Sequence, residues 1–145
     1  MQNPPPVQTS SQPPVQTAPK TSTGLDENIA ALLAYVVHAV SGLIFFIIEK
    51  NNRFVRFHAM QALILGATFI VGTFVLLFAW FFITVIASQI SSVLGTLVGL
   101  VLGLLMFVFY AAFFVGWIMG MVKAYQGQYF KLPVIGNLAE KYSQK

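Results

Sequence analysis

The sequence contains two histidines, His38 and His58, whose side chains can change charge near neutral pH. His38 falls inside an uncharged run from residue 29 to residue 48, where an ionisable side chain must face protein or water. Two interpretations are open: a proton relay or polar pore lining, or a neutral imidazole hydrogen-bonded to a neighbouring helix, with Tyr110 or a threonine as partner. Because the apolar runs offer no second acid or base to pass a proton on, we favour the neutral imidazole.

A second polar group follows the first charged turn of the chain. Arg53 and Arg56 precede His58 and Gln61, and the last two lie three residues apart, on one face of a helix. A metal site would need more ligands at helical spacing, and no carboxylate or further histidine is close in the sequence. We therefore expect His58 and Gln61 to hydrogen-bond to lipid headgroups or to the C-terminal segment.

A third motif, formed by Gly127, Tyr129 and Pro133, follows the last apolar run. Gly127 is typical of the C′ residue that ends a helix, and Pro133 is typical of the first position of the next helix. Tyr129 suits the membrane interface, where rings with a polar tip are enriched. The motif therefore predicts a short amphipathic helix lying on the membrane surface.

Signatures of catalysis and of metal binding are absent from the sequence. It has no cysteine, which excludes disulfides, thiolate catalysis and cysteine-ligated metals. It also lacks a nucleophile elbow, an HExxH pair and a phosphate-binding glycine loop. Its eight Lys and Arg residues form no basic stripe of the kind that binds nucleic acid. We predict a protein that is not an enzyme, has no cofactor or metal, and does not bind nucleic acid.

The amino-acid composition indicates whether the surface of the protein faces water or lipid. The chain has 145 residues, of which 57% are hydrophobic and 8% are charged, whereas an ordinary soluble domain is about 25% charged. So few charges do not cover the surface of a soluble fold of this size. The predicted fold class is therefore all-α, a polytopic transmembrane helical protein whose main partner is the lipid bilayer.

Turn signals and charges divide the chain into a tail and a membrane domain. Residues 1–24 hold six of the seven prolines and predict a disordered tail, and residues 25–145 form the transmembrane domain. A capping box from Thr23 to Asp26 is expected to open the first helix. We predict three long helices, at about 28–49, 57–88 and 93–123, and an interfacial helix at about 133–142. Four spans are the alternative, since the uncharged stretch after residue 57 has room for three short helices.

The placement of charge favours three spans over four. With three, Lys50, Arg53 and Arg56 lie on the same side as Lys123 and the C-terminus, which matches the positive-inside rule. With four, the two cationic groups fall on opposite sides. The predicted topology is a multi-pass protein of the cell membrane, with the N-terminus outside and the C-terminus in the cytoplasm.

Two rows of small residues mark the third long helix. One row is Gly95, Gly99 and Gly103, and the other is Ala112, Gly116 and Gly120. Such spacing lets helix backbones approach closely in lipid, where burial of apolar surface gives no drive for association. The rows point in different directions around the helix, so one is expected to pack within the chain and the other against a second subunit. A homo-oligomer or a membrane complex is the predicted assembly.

Residues 53–62 and 124–133, together with Ala34 and Tyr35 ahead of His38, resemble a family of small, mostly uncharacterised prokaryotic membrane proteins. That family is related to the twenty-kilodalton channel subunit of the chloroplast inner-envelope protein translocon. The resemblance covers residues 26–140 and implies a helical membrane domain and, through the chloroplast relative, a role in protein conduction. The chloroplast subunit is usually drawn with four spans, whereas the charge pattern here predicts three.

Two functional hypotheses follow. The first is a non-enzymatic structural or accessory subunit of a membrane complex, indicated by the glycine rows. The second is a channel or protein-translocation component, with a pore lined by five groups of polar residues. These are His38, Thr68, Thr73, Thr84 and residues 88–92.

Overall fold

The computed structural model describes residues 21–143. These residues form five α-helices and no strand. The helices are α1 (Glu27–Val36), α2 (His38–Ile48), α3 (Arg53–Ile90), α4 (Ser92–Tyr125) and α5 (Ile135–Ser143). The predicted all-α class is confirmed. The predicted disordered tail lies, for residues 1–20, outside the described part of the chain, and residues 22–25 form turns and bends before α1.

The first predicted long helix, over 28–49, is wrong, because the structure breaks it at Val37 into α1 and α2. The side chain of Ser41 stabilises the break. Its Oγ accepts a hydrogen bond from the Val37 N–H at 2.9 Å and donates one to the Ala34 carbonyl at 2.8 Å. His38, the next residue, has a left-handed backbone with φ of 47°. Backbone groups that a continuous helix would pair are therefore satisfied by one hydroxyl, as a non-helical segment in apolar surroundings requires.

The helices α1 and α2 form a hairpin that returns to the end at which it starts. Ser22, ahead of α1, donates its N–H and its hydroxyl to the Glu49 carboxylate just after α2, at 2.7 and 2.8 Å. At 1.5 Å per residue each arm is about 15 Å long, half of a hydrocarbon core of about 30 Å. The start of the first helix and the loop after α2 therefore lie at the same end of the structure, whereas the sequence placed them at opposite ends. The interpretation of the charges assumed one unbroken helix.

The start of α1 also differs from the prediction. Asp26 occupies the N-cap position, so the capping box from Thr23 is not formed. Thr21 instead donates its hydroxyl to the Leu25 carbonyl at 2.6 Å and contacts the Thr23 hydroxyl at 3.0 Å. These bonds tighten the turn before α1, and they direct Ser22 towards Glu49.

Two long antiparallel helices, α3 and α4, form the body of the protein. They contain 38 and 34 residues, which at 1.5 Å per residue gives lengths of about 57 and 51 Å. Both are long and apolar enough to cross a membrane, and they are joined through Ser91. The described residues thus contain two long helices rather than the predicted three. The α1–α2 hairpin covers only the part of α3 nearest its charged end.

The chain after α4 closes the charged end of the bundle. Gly127 lies at C′ with φ of 69°, and the N–H groups of Gly127 and Gln128 bond to the carbonyls of Ala124 and Lys123, as in a Schellman motif. The expectation that Pro133 opens the next helix is wrong. The helix α5 begins at Ile135, after a turn at residues 133–134.

Candidate functional site

Three polar side chains meet in the buried core at the charged end of α3. Gln61 donates to the Tyr35 hydroxyl at 2.9 Å, and that hydroxyl lies 3.2 Å from His58 Nδ1. All three side chains are fully buried. Tyr35 belongs to α1, whereas His58 and Gln61 belong to α3, so the cluster joins the hairpin to the long helix.

The same cluster binds the segment between α4 and α5. His58 Nε2 lies 3.1 Å from the Gln128 carbonyl. Gln61 donates to the Phe130 carbonyl at 3.2 Å and accepts the Leu132 N–H at 3.2 Å. The His58 and Gln61 motif and the C-terminal motif are therefore neighbours in space. We call residues 127–133 the C-terminal strap.

These contacts assign the tautomer of a neutral His58 ring. Because the Gln128 carbonyl can only accept, His58 Nε2 must donate, and Nδ1 of a neutral ring then accepts the Tyr35 proton. The Tyr35 hydroxyl in turn accepts from Gln61, and both ends of the Gln61 amide are used on the strap. Each group has a complementary partner, which is the arrangement in which a buried polar network stabilises a fold.

Glycine allows Tyr35 to reach this position. A Cβ atom on Gly120 of α4 would lie 2.8 Å from Tyr35 Cε1, too close for any side chain. Trp117, one turn earlier on α4, donates its indole N–H to the Tyr35 carbonyl at 2.8 Å. The same carbonyl also accepts the N–H of the C-cap residue Val37, so the end of α1 is bonded both to its own chain and to α4. Sequence reasoning noted Tyr35 but did not identify it as the centre of the cluster.

A second buried polar group, Glu49, holds the base of the α1–α2 hairpin. Burial by itself raises the pKa of the Glu49 carboxyl. The hydrogen bonds that the carboxylate accepts outweigh this effect of burial, so the pKa of Glu49 lies below its usual value. The donors are the N–H groups of Asn51 and Asn52 and the N–H and hydroxyl of Ser22. Arg56 donates to the Glu49 carbonyl at 2.9 Å and to the Ser143 carbonyl at 3.2 Å, which ties α5 to the same base. Sequence reasoning placed Glu49 at the end of the first predicted helix and gave it no role.

The remaining motif residues surround this base. Tyr129 packs edge-on against Phe54, with ring centroids 5.1 Å apart, and lies 5.5 Å from Phe57. Burial and the nearby Glu27 charge raise the pKa of Tyr129, while Arg53 opposes them. Arg53 is exposed at the first position of α3, where it lines a polar cavity of about 310 Å³ together with Tyr129 and Gly127. The aromatic contacts hold the strap against α3.

His38 lies apart from this polar end, beside the tip of the hairpin. Its ring stacks on Trp117, with centroids 4.7 Å apart and planes inclined by 18°, and lies 6.2 Å from Phe69. The expected hydrogen bond to Tyr110 does not form among the described residues; both side chains instead line one apolar cavity of about 350 Å³. The structure therefore separates His38 from His58, which belongs to the polar end.

The two small-residue rows have mixed environments. Gly95 packs against Ser88, where an added Cβ would lie 2.8 Å from the serine Cβ, and Gly120 packs against Tyr35. A Cβ on Gly99 or on Gly116 would make ordinary contacts, with Thr84 and Leu132 respectively. Two further positions are more open. A Cβ on Gly103 would meet only Trp80, at 4.0 Å, and Ala112 is exposed. Each row therefore packs within the chain at one end and opens towards the middle of α4.

No group of three or more His, Asp or Glu side chains that could hold a metal ion occurs within residues 21–143. An ion pair joins Lys131 and Glu140 at 2.8 Å, on the exposed side of the strap and α5. The chemistry of the site is therefore described by hydrogen bonds, ring contacts and apolar cavities.

Known proteins share this chain's sequence over most of its length. A UPF0132 membrane protein of Methanocaldococcus jannaschii is 42% identical over 128 residues, which cover 86% of this chain and 96% of the relative. A second protein of that description from the same organism is 39% identical over 82% of this chain and 71% of its own length. One from Archaeoglobus fulgidus is 33% identical over 81% of this chain and 95% of its own length. No solved structure matches the chain.

The relatives are described as membrane proteins, in agreement with the two long apolar helices. A family profile described as "magnetosome magnetite crystal formation protein family" matches residues 26–139, from the N-cap of α1 into α5. The match takes in the hairpin, both long helices and the C-terminal strap. This chain is a membrane protein and belongs to the magnetosome magnetite crystal formation protein family.

Proposed function

We propose that the protein is a non-enzymatic scaffold subunit of a complex in the cell membrane. The observation that carries the proposal is a groove of about 690 Å³ along the outer side of the α3–α4 pair. Gly99 and Gly103 form part of its floor, and the indole of Trp80 donates to the Gly99 carbonyl at 3.1 Å beside them. An open glycine surface in lipid favours close approach of another helix.

The orientation we propose follows from the hairpin. The helices α3 and α4 cross the bilayer, while the short arms α1 and α2 enter the membrane and leave it on one side. Residues 21–26, the loop at 49–52 and the strap then share that side with Lys50 and Lys123. The positive-inside rule assigns this side to the cytoplasm. Both ends of the described chain are therefore placed in the cytoplasm in this proposal.

The channel alternative has less support from the positions of the polar residues. A pore would bring His38 and the threonines of α3 to one water-filled path, yet Thr68 is exposed on the outer surface. The Ser88 hydroxyl donates to the Val85 carbonyl of its own helix at 2.7 Å. None of the relatives named above is described as a translocon subunit. Within residues 21–143, the buried hydroxyls of Thr73 and Thr84 have no hydrogen-bond partner, and they lie about three turns apart along α3. Polar groups that are scattered in this way favour the scaffold.

The family's description concerns magnetite crystal formation, whereas the scaffold role rests on helix packing alone. The partner is a second copy of the chain or another membrane helix, and the groove fits either in the same way.

Replacement of Gly103 by Leu tests this role. A leucine there fills the groove without a clash inside the chain, because a Cβ at Gly103 meets only Trp80 at 4.0 Å. We expect Gly103→Leu to shift the complex extracted in mild detergent to a smaller mass, measured by light scattering, with unchanged thermal unfolding. The control is Val101→Phe, which adds bulk at an exposed position roughly half a turn away. An unchanged mass for Gly103→Leu, or an equal shift in the control, would refute the groove as the interface.

A further inference from the structure

The tip of the α1–α2 hairpin borders a half-open apolar cavity of about 350 Å³. Its lining comprises His38, Leu65, Phe69, Tyr110, Phe113, Phe114 and Trp117. Phe69 lies about 20 Å along α3 from Arg56 at 1.5 Å per residue. If Arg56 marks the membrane surface, the cavity is near the middle of a hydrocarbon core of about 30 Å.

The walls of this cavity are flat rings. His38 and Trp117 stack with centroids 4.7 Å apart, and the planes of His38 and Phe69 are inclined by 23°. Phe113 adds a tilted ring 5.5 Å from Phe69. Stacked aromatic walls suit a planar ring better than a flexible acyl chain, because ring pairs gain from offset stacking beyond the area that they bury.

The polar groups on the cavity wall are few. The His38 imidazole has one N–H donor and one acceptor nitrogen when neutral, and the Tyr110 hydroxyl is both a donor and an acceptor. No hydrogen bond of the His38 ring occurs within residues 21–143, where its contacts are with aromatic rings. Apolar walls with one or two placed polar groups are the usual composition of a small-molecule site, and such sites run from about 300 to 1,000 Å³.

The backbone at the tip holds the imidazole in this place. His38 has φ of 47°, a left-handed conformation that residues other than glycine rarely adopt. The bonds of Ser41 to Val37 and Ala34 maintain this conformation. Strained residues that a fold maintains in this way are concentrated at ligand sites.

We propose that this cavity binds the ring of a lipid-soluble quinone. The ring would stack among the aromatic walls, and a carbonyl oxygen would accept the His38 N–H. The apolar tail would stay in the bilayer, because Phe114 at the mouth is 61% exposed on the lipid-facing surface. An acyl chain would gain neither the stacking nor the hydrogen bond.

The test uses Trp117 as its reporter, in the full-length protein reconstituted in lipid nanodiscs. Replacement of Trp80 by Phe leaves Trp117 as the sole tryptophan of the chain. Decylubiquinone is titrated, and we expect saturable quenching of Trp117 emission. In the same background, His38→Ala should weaken the apparent affinity by about threefold to tenfold, the effect of one lost hydrogen bond. Leu97→Ala, at an exposed site on α4 away from the cavity, should leave it unchanged.

A second variant keeps the test decisive if the hairpin does not tolerate Ala at His38. Phe69→Leu removes one flat wall contributed by α3, leaves the residues of the tip itself unchanged, and should also weaken binding. Quenching that rises linearly without saturation, or equal affinities for the parent and every folded cavity variant, would overturn the proposal. Nanodiscs with brominated acyl chains test the competing occupant. If those chains quench Trp117 and decylubiquinone does not displace them, the cavity holds lipid and the proposal is wrong.

Discussion

At the charged end of α3, hydrogen bonds of Tyr35, His58 and Gln61 join α1, α3 and the C-terminal strap. The middle of the α3–α4 pair instead depends on apolar contacts and on the hydrogen bond from Trp80 to the Gly99 carbonyl. At the first site a Cβ on Gly120 would collide with Tyr35, and at the second a Cβ on Gly103 would meet almost nothing. Within one helix, glycine thus serves packing inside the chain at one position and leaves space for another molecule at the other. We infer that the polar end carries the stability and that the middle is free for partners.

The largest expected effect is from the replacement of Gln61 by Leu at the polar end. The change removes three hydrogen bonds of the Gln61 side chain, to the Leu132 N–H, the Phe130 carbonyl and the Tyr35 hydroxyl. Each buried group left unpaired costs about 1–3 kcal/mol. We expect a large drop in the melting temperature in detergent, measured by near-ultraviolet circular dichroism, and faster tryptic cleavage at Lys131 as the strap is released.

The control for that variant is Thr68→Leu, two turns later on α3 at an exposed position. It changes a polar side chain to the same leucine on a surface that we place in lipid, so stability should be nearly unchanged. Equal destabilisation by the two substitutions would show that the polar end has no special role.

A smaller effect is expected from alanine at the two contrasting glycines. Gly120→Ala places a Cβ 2.8 Å from Tyr35 Cε1, and Tyr35 is held by its own hydrogen bonds, so overpacking should cost about 1–3 kcal/mol. Gly103→Ala should leave the free energy of unfolding unchanged or raise it by up to about 1 kcal/mol, because alanine favours a helix over glycine and its Cβ meets only Trp80 at 4.0 Å. Urea or SDS titration in mixed micelles measures both. A Gly103→Ala cost as large as that of Gly120→Ala would contradict the comparison.

The smallest effect is a dependence of stability on acid pH at the base of the hairpin. The pKa of Glu49 is lower in the folded protein than its ordinary value of 4.5, so the folded state favours the carboxylate. Its stabilising contribution is complete above that ordinary value and is lost as pH falls through the lower, folded pKa. Melting temperatures measured between pH 7 and pH 3 should therefore fall more steeply for the parent than for Glu49→Gln. Parallel curves would show that the carboxylate does not stabilise the hairpin.

The sequence was most informative where one physical rule acts over many residues. The uncharged stretch after residue 57 predicts two long helices that the structure contains as α3 and α4. Spacing alone grouped His58 with Gln61 and offered the C-terminal segment as a partner, and the hydrogen bonds join these regions. Gly127 at a helix end follows from the need for a left-handed residue.

The hairpin break escaped prediction because its local sequence contains no Gly or Pro. The pattern around Val36, Val37 and His38 is typical of a continuous helix. The break depends on Ser41, three residues after His38, and on contacts with α3 and α4. Glu49 was missed for a related reason, since its donors come from residues 22, 51 and 52, one of which is distant in sequence. Both features depend on tertiary contacts, and the predicted three-span topology rested on a first helix without a break.

The topology of the hairpin is the central claim, and single cysteines test it directly, since the natural chain has none. Thr23→Cys, Asn51→Cys and Ser91→Cys each alter an exposed position, before α1, after α2 and between α3 and α4. The variants are labelled with a membrane-impermeant maleimide in right-side-out and in inverted vesicles. We predict that positions 23 and 51 label from the same side and position 91 from the other. Labelling of position 23 together with position 91, opposite position 51, would contradict the re-entrant hairpin and restore a first transmembrane span.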